Sequence, residues 1–222
     1  MRILGFLIAI GLSSPLGAAP RAEPPPLPRP SELAPPMKAE DRTEPRAEPS
    51  DALCGVPGLR GESLPAITAE GGCGVAAPIR LEAVDGVALE PPAVMACDTA
   101  RALLVWMKGT VTESFAAKGA DPSALVIADS YSCRNRNRAA SGKLSEHARG
   151  NAIDISGFRV GDDHLVTVLD GWNSPEWGET LRRLRAGGCG PFGTVLGPGS
   201  NALHADHFHF DVAARRSGPW CE

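Results

Sequence analysis

His204-Ala205-Asp206-His207-Phe208-His209-Phe210-Asp211 alternates polar and aromatic side chains. That is the pattern of a strand with one face in a core. On such a strand His207, His209 and Asp211 share one face, while Phe208 and Phe210 point to the other. Two imidazoles beside a carboxylate suit a metal site or an acid/base centre. The plainer alternative is a surface histidine strand with no ligand. Placing both phenylalanines on the buried face argues against it, because the opposite face must then meet something polar.

A second cluster lies upstream, Ser145-Glu146-His147-Ala148-Arg149-Gly150-Asn151-Ala152-Ile153-Asp154. Here Ala152, Asp154 and Ser156 share a strand face, with Ile153 and Ile155 buried behind. Gly150 permits a tight turn or close packing just before the strand. That turn would bring His147 back toward Asp154. One imidazole and one carboxylate supply two of the three protein ligands that catalytic zinc uses. The third would be a histidine of the downstream strand. A lone His–Asp pair is more often a structural hydrogen bond, a reading that weakens once the His-x-His strand is added.

Outward from these clusters, Ala100, Leu103, Leu104, Met107, Val111 and Phe115 recur at three- and four-residue steps. They predict a helix over 98–118, with Asp98 as N-cap and Gly119 as its stop. Residues 124–128, 152–156 and 165–169 read as short buried strands. Ser174-Pro175 opens a second helix whose inner face is Trp177, Leu181 and Leu184, ended by Gly187-Gly188. Residues 54–97, rich in Gly and Pro, read as loops and short strands. Interspersed helices and strands make the domain α+β.

Apolar residues are 43% of the chain and charged residues 22%, proportions of a soluble globular protein. The formal charge is -4, with no basic stripe, so nucleic acid is not an expected partner. Arg2 followed by the apolar run Ile3–Leu12 has the shape of a secretory signal, with Gly17 and Ala19 preceding a cut after residue 19. That run is too short to span a bilayer, which takes about 20 residues, so no membrane insertion is expected after cleavage. The alternative is an uncleaved anchor. Ten of the 21 prolines fall within 20–50. That stretch holds too little apolar surface for a core and reads as a disordered spacer. Residues 51–222 then form one domain. It holds all six cysteines, an even count that argues for three disulfides in an oxidising compartment. The short Cys54–Cys73 loop is the first pairing considered.

With these residues in view, Ser145–Asp154 resembles the S-x-H-x-x-G-x-A-x-D signature of the zinc peptidases grouped as lysostaphin, D-Ala-D-Ala metallopeptidases and hedgehog. His207-Phe208-His209 resembles their closing H-x-H. More narrowly, residues 52–222 resemble the bacterial extensin-like C-terminal domain family. The stretches that carry this are Cys54–Val56, Gly71–Val75, Tyr131–Asn137, Leu144–Phe158, Thr194–Asp211 and Cys221.

The resemblance implies a small antiparallel sheet carrying a zinc site and flanked by helices. It implies that His147, Asp154 and His209 bind Zn²⁺, and that His207 is the base or oxyanion stabiliser, supported by His204. Some relatives use a glutamate three residues before the last zinc histidine. Asp206 stands at that spacing, but on a strand it faces away from His207 and His209, which favours His207. Arg134 falls where relatives place an arginine for a substrate carboxylate or the oxyanion; Arg136 and Arg138 compete with it. His164 reads as exposed, Ser145 as orienting its loop, and Trp106 and Trp177 as core.

The function these relatives imply is a secreted, periplasmic zinc hydrolase of peptidoglycan peptides, acting as carboxypeptidase or endopeptidase. The rival is a non-catalytic zinc-containing module that binds the cell wall.

Overall fold

The computed structural model describes residues 52–222. The expected signal segment (1–19) and spacer (20–50) lie outside the described residues. Strand β1 (Leu59–Ser63) is followed by a small hairpin, β2 (Ile67–Thr68) and β3 (Gly74–Val75), then by β4 (Pro78–Val84) and β5 (Val87–Ala96). The turn between β4 and β5 is Asp85-Gly86, both at positive φ, 50° and 82°. This is the two-residue turn whose twist matches an antiparallel pair.

The chain then enters helix α1 (Cys97–Trp106). A single wider turn over Met107–Val111 carries it into α2 (Thr112–Ala116). All six residues of the predicted apolar stripe are buried. Gly119 closes the segment at φ +66°. Asp98 is not the N-cap: helix α1 starts one residue earlier, and Asp98 instead pairs with Arg101 at 3.0 Å.

After the helices come β6 (Pro122–Asp129), β7 (Ala152–Val160), β8 (His164–Thr167), α3 (Val168–Gly171), α4 (Gly178–Gly187), β9 (Thr194–Leu196), β10 (Phe208–Asp211) and β11 (Trp220–Cys221). Nine strands form one sheet in the order β1-β4-β5-β6-β7-β10-β9-β11, with β8 on the other part of β7. Most pairs are antiparallel. The β5–β6 pair is parallel, because α1 and α2 make the crossover between them, and so is β9–β11.

The α+β composition therefore holds, but the expected small antiparallel sheet is a large mixed one. Its extra strands come from residues 54–97. There, where loops and short strands were expected, β4 and the ten-residue β5 are longer than that reading allowed. The 165–169 run is also divided: its strand ends at Thr167, whose hydroxyl caps α3 by accepting from Asp170 N at 3.0 Å. Ser174 caps a turn, accepting from Trp177 N at 2.9 Å, and α4 begins only at Gly178.

The core lies under β7 and β10. Phe208 and Phe210 are fully buried. Phe210 meets Trp106 edge-on at 5.0 Å and stacks on Phe192 at 4.8 Å. Trp106 Nε1 donates to Leu184 O at 2.9 Å, tying α1 to α4. Burying each such aromatic is worth ~1.5–3 kcal/mol, so one face of β10 is committed to packing. Trp177 is half-buried and packs against this core, with His164 stacked on it at 6.1 Å.

All six cysteines pair: Cys54–Cys97, Cys73–Cys133 and Cys189–Cys221. The expected Cys54–Cys73 link is wrong. Cys54 lies against the start of α1, whereas Cys73, on the β2–β3 hairpin, reaches the loop after β6. No helix among the described residues is long and apolar enough to cross a membrane.

Candidate metal centre

Strand register places the first two groups. His209 on β10 lies directly opposite Asp154 on β7. Cross-strand partners have Cβ atoms about 4.5–5.5 Å apart on one face. His209 Nδ1 and Asp154 Oδ1 are 2.8 Å apart.

His147 arrives from the turn Glu146–Arg149, which the Ser145 hydroxyl caps by accepting from His147 N. Gly150 ends that turn at φ +68°, and a Cβ there would lie 2.9 Å from Ala96 N and from Val75 Cγ2. Only glycine suits both the dihedral and the space. Gly150 O accepts from Ala96 N and from the Thr99 hydroxyl, fixing the turn to the start of α1. His147 Nε2 thereby reaches 3.1 Å from Asp154 Oδ1 and 3.2 Å from His209 Nδ1.

The outer nitrogens determine what the inner ones offer. His147 Nδ1 lies 2.6 Å from Ser130 O, a carbonyl that only accepts. Nδ1 therefore carries the proton, and neutral His147 turns a lone pair inward. His209 Nε2 lies 3.2 Å from the Asp211 carboxylate. It donates there, so neutral His209 also turns a lone pair inward. Two nitrogen lone pairs and a carboxylate oxygen thus face one another at 2.8–3.2 Å. Such a triangle needs a cation at its centre, either protons or a metal. A tetrahedral zinc with ligands at about 2.0–2.1 Å has ligand edges near 3.3 Å, so the donor set and its spacing fit zinc. The anchoring of each imidazole by an oxygen acceptor is also what metal-ligating histidines use.

Without a metal, protons take that place. Burial opposes charge on His209, but hydrogen bonds to Asp154 and Asp211 push it up to about 9. Burial likewise opposes charge on Asp154, yet His147 and His209 hold its carboxyl far below the usual range. Asp211 is also lowered, burial being outweighed by His209.

Beside the triangle, His207 Nδ1 donates to Asp206 Oδ1 at 2.8 Å, and its Nε2 lies 3.7 Å from Asp154 Oδ2. His207 precedes β10 rather than lying on it, so the strand argument that turned Asp206 away does not apply. Asp206 holds His207 instead. His204 donates from Nδ1 to Asn201 Oδ1 at 2.8 Å, and its ring is 5.2 Å from that of His207. Burial, with His209 and His207 nearby, pushes His204 down to about 4, so it is neutral at pH 7.

Arg134 donates twice to Asp129 Oδ2, at 3.2 and 2.9 Å, and lies 3.8 Å from Asp154. Arg136 pairs with Glu146 at 3.2 Å, and Arg138 with Asp129 at 3.6 Å. Sequence reasoning missed Asp129 and the Ser130 carbonyl. Both follow from where β6 ends beside β7, which no local pattern reveals. Asp211 was legible as the third polar residue of its strand face, but its role as the anchor of His209 was not.

These groups line a cavity of about 370 Å³, within the range of small-ligand sites. His147, Asp154, His204, His207, His209, Arg134 and Asp211 all border it, as do Thr194, Leu203, Arg215 and Trp220.

Residues 52–222 match the model of one family, described as extensin-like protein C-terminus. No curated protein and no solved structure matches the chain.

Proposed function

The chain belongs to this extensin-like family, and from its inward-facing His147, Asp154 and His209 we propose a secreted zinc-dependent hydrolase of peptidoglycan peptides. The observation that carries the proposal is the triangle of two lone pairs and a carboxylate oxygen, backed by Ser130 O and Asp211. The resemblance of the two histidine stretches to zinc peptidases supplies the substrate class. Export to the periplasm is supported by three disulfides and by the signal-like N-terminus.

His147, Asp154 and His209 would hold the zinc. When bound, zinc polarises a substrate carbonyl and brings the pKa of water down to about 7. His207 keeps its Nδ1 proton on Asp206, so its Nε2 is free to accept a proton beside Asp154. Asp206 then stabilises the imidazolium that results, as a carboxylate does behind any general-base histidine. Neutral His204 packs its ring against His207 and limits the water around it. Arg134 pairs with Asp129 and stands 3.8 Å from Asp154, placing positive charge beside both carboxylates.

Incubation of zinc-loaded protein with purified muropeptides, with products identified by mass, tests the proposal. Loss of a terminal residue indicates a carboxypeptidase, and an opened crosslink an endopeptidase. Binding without any product would support a non-catalytic wall-binding module instead.

A further inference from the structure

Among the described residues, four arginines border the cavity: Arg134, Arg136, Arg138 and Arg215. The first three stand after β6, and each has a carboxylate within 4 Å. Arg215 belongs to the other side of β7 and β10, beside β9 and β11. Its Nε and Nη2 both donate to Thr194 Oγ1, at 3.0 and 2.7 Å. Its guanidinium lies 5.0 Å from the centroid of the Trp220 ring. No carboxylate among the described residues lies within 4 Å of it, and its Nη1 has no protein acceptor among them.

A hydroxyl and an indole face fix the orientation of a guanidinium but supply no counter-charge. A permanent cation is therefore held in the cavity wall with donors left over. Apolar surface stands beside it: Trp220 and Leu203, 45% and 56% exposed, are among the most exposed large apolar side chains. Guanidinium donors held in a fixed fork are what recognises a carboxylate.

We propose that Arg215 is a substrate-binding residue that takes a carboxylate of the peptide, while Trp220 and Leu203 receive the apolar part next to it. This rests on the cavity being a peptide site. It assigns the anion to Arg215 rather than to Arg134, whose charge Asp129 and Asp154 already balance.

The test compares acetyl-Lys-D-Ala-D-Ala with its carboxamide, titrated into the zinc-loaded full chain, with product analysis alongside. The free acid should bind about ten- to a hundredfold more tightly than the amide, the range for a charge-assisted hydrogen bond. Arg215→Gln should abolish that preference with zinc content unchanged, whereas Arg138→Gln should keep it. If the glutamine variant does not fold, Arg215→Met is read in the same way. A preference that survives loss of Arg215 overturns the assignment. So does a wild-type chain that binds the acid no better than the amide, or binds neither. A clear acid preference without hydrolysis would remove the carboxypeptidase reading and leave the Arg215 subsite standing.

Discussion

His209 and His207 sit two positions apart yet answer to different partners. His209 is locked between Asp154 and Asp211, whereas His207 is held by Asp206 alone at its outer nitrogen. His209→Ala leaves two inward donors, too few for a stable zinc site, and metal analysis should find the site empty. His207→Ala should keep its zinc and still lose about 10²- to 10⁴-fold in turnover, the range for a positioned proton-transfer group. A zinc-free His207→Ala would reverse the two roles. Asp206→Asn still offers an oxygen to His207 Nδ1 but loses the charge that stabilises the imidazolium, so it should, like Asp206→Ala, cost about tenfold or more in turnover. The same contacts set a pH dependence. In the metal-free chain His209 is raised to about 9 from an ordinary value near 6.5. Its contribution to stability is complete below about 6.5 and fades as pH rises through about 9. Asp154 is depressed, so its contribution is present above about 4 and is lost only in stronger acid. On the proposed assignment zinc would replace the His209 proton, so the stability gained on adding zinc should grow between pH 6.5 and 9. Urea unfolding with and without chelator at those two pH values checks this; a gain that shrinks would contradict the proton-for-metal exchange.

The elements that carry these residues differ in how openly the sequence declares them. Strand β10 was legible because Phe208 and Phe210 must go inward, which turns His209 and Asp211 outward. The α1–α2 stripe was legible for the same reason at helical spacing. Strands β4 and β5 were legible only as short strands among loops, since Pro91, Pro92 and the Gly-rich flanks obscure a pattern that the Asp85-Gly86 turn announces. His207 lies one residue outside its strand, so alternation placed Asp206 on the wrong side. Arg215 gave no signal, and it is the pairing of β11 with β9 that brings Trp220 to the cavity. Gly150 shows how an element's end can control the site. A methyl there meets Ala96 N and Val75 Cγ2 at 2.9 Å in a left-handed backbone. Gly150→Ala should cost about 1–3 kcal/mol and displace His147. A urea titration paired with zinc analysis should show both losses together; a full zinc complement at wild-type stability would contradict it.

At the scale of the whole molecule, residues 52–222 contain their own core and their own three disulfides. A chain beginning at Asp51 should therefore fold and keep any muropeptide activity, and failure to fold would show that the first fifty residues contribute to the domain. The disulfides close separations of 43, 60 and 32 residues. Chain entropy then assigns each about 4 kcal/mol, against a usual total of ~5–15 kcal/mol. Losing all three together should leave little or no folded protein. Losing one should be survivable and informative, above all Cys189–Cys221. That bond ties the C-terminal strand to the end of α4, while Trp220 N bonds Gly193 O and Glu222 N bonds Val195 O along β9. None of Ser130, Gly150 and Asp211, which position His147 and His209, lies on β11 or α4. Replacing both cysteines by alanine should lower stability by up to about 4 kcal/mol and loosen the wall that bears Arg215 and Trp220. The zinc should remain, because His147, Asp154 and His209 keep their partners, while the preference for a free carboxylate over its amide should fall. If the pair of substitutions instead removed the zinc and left that preference intact, the C-terminal strand would be a support of the metal centre rather than a wall for substrate.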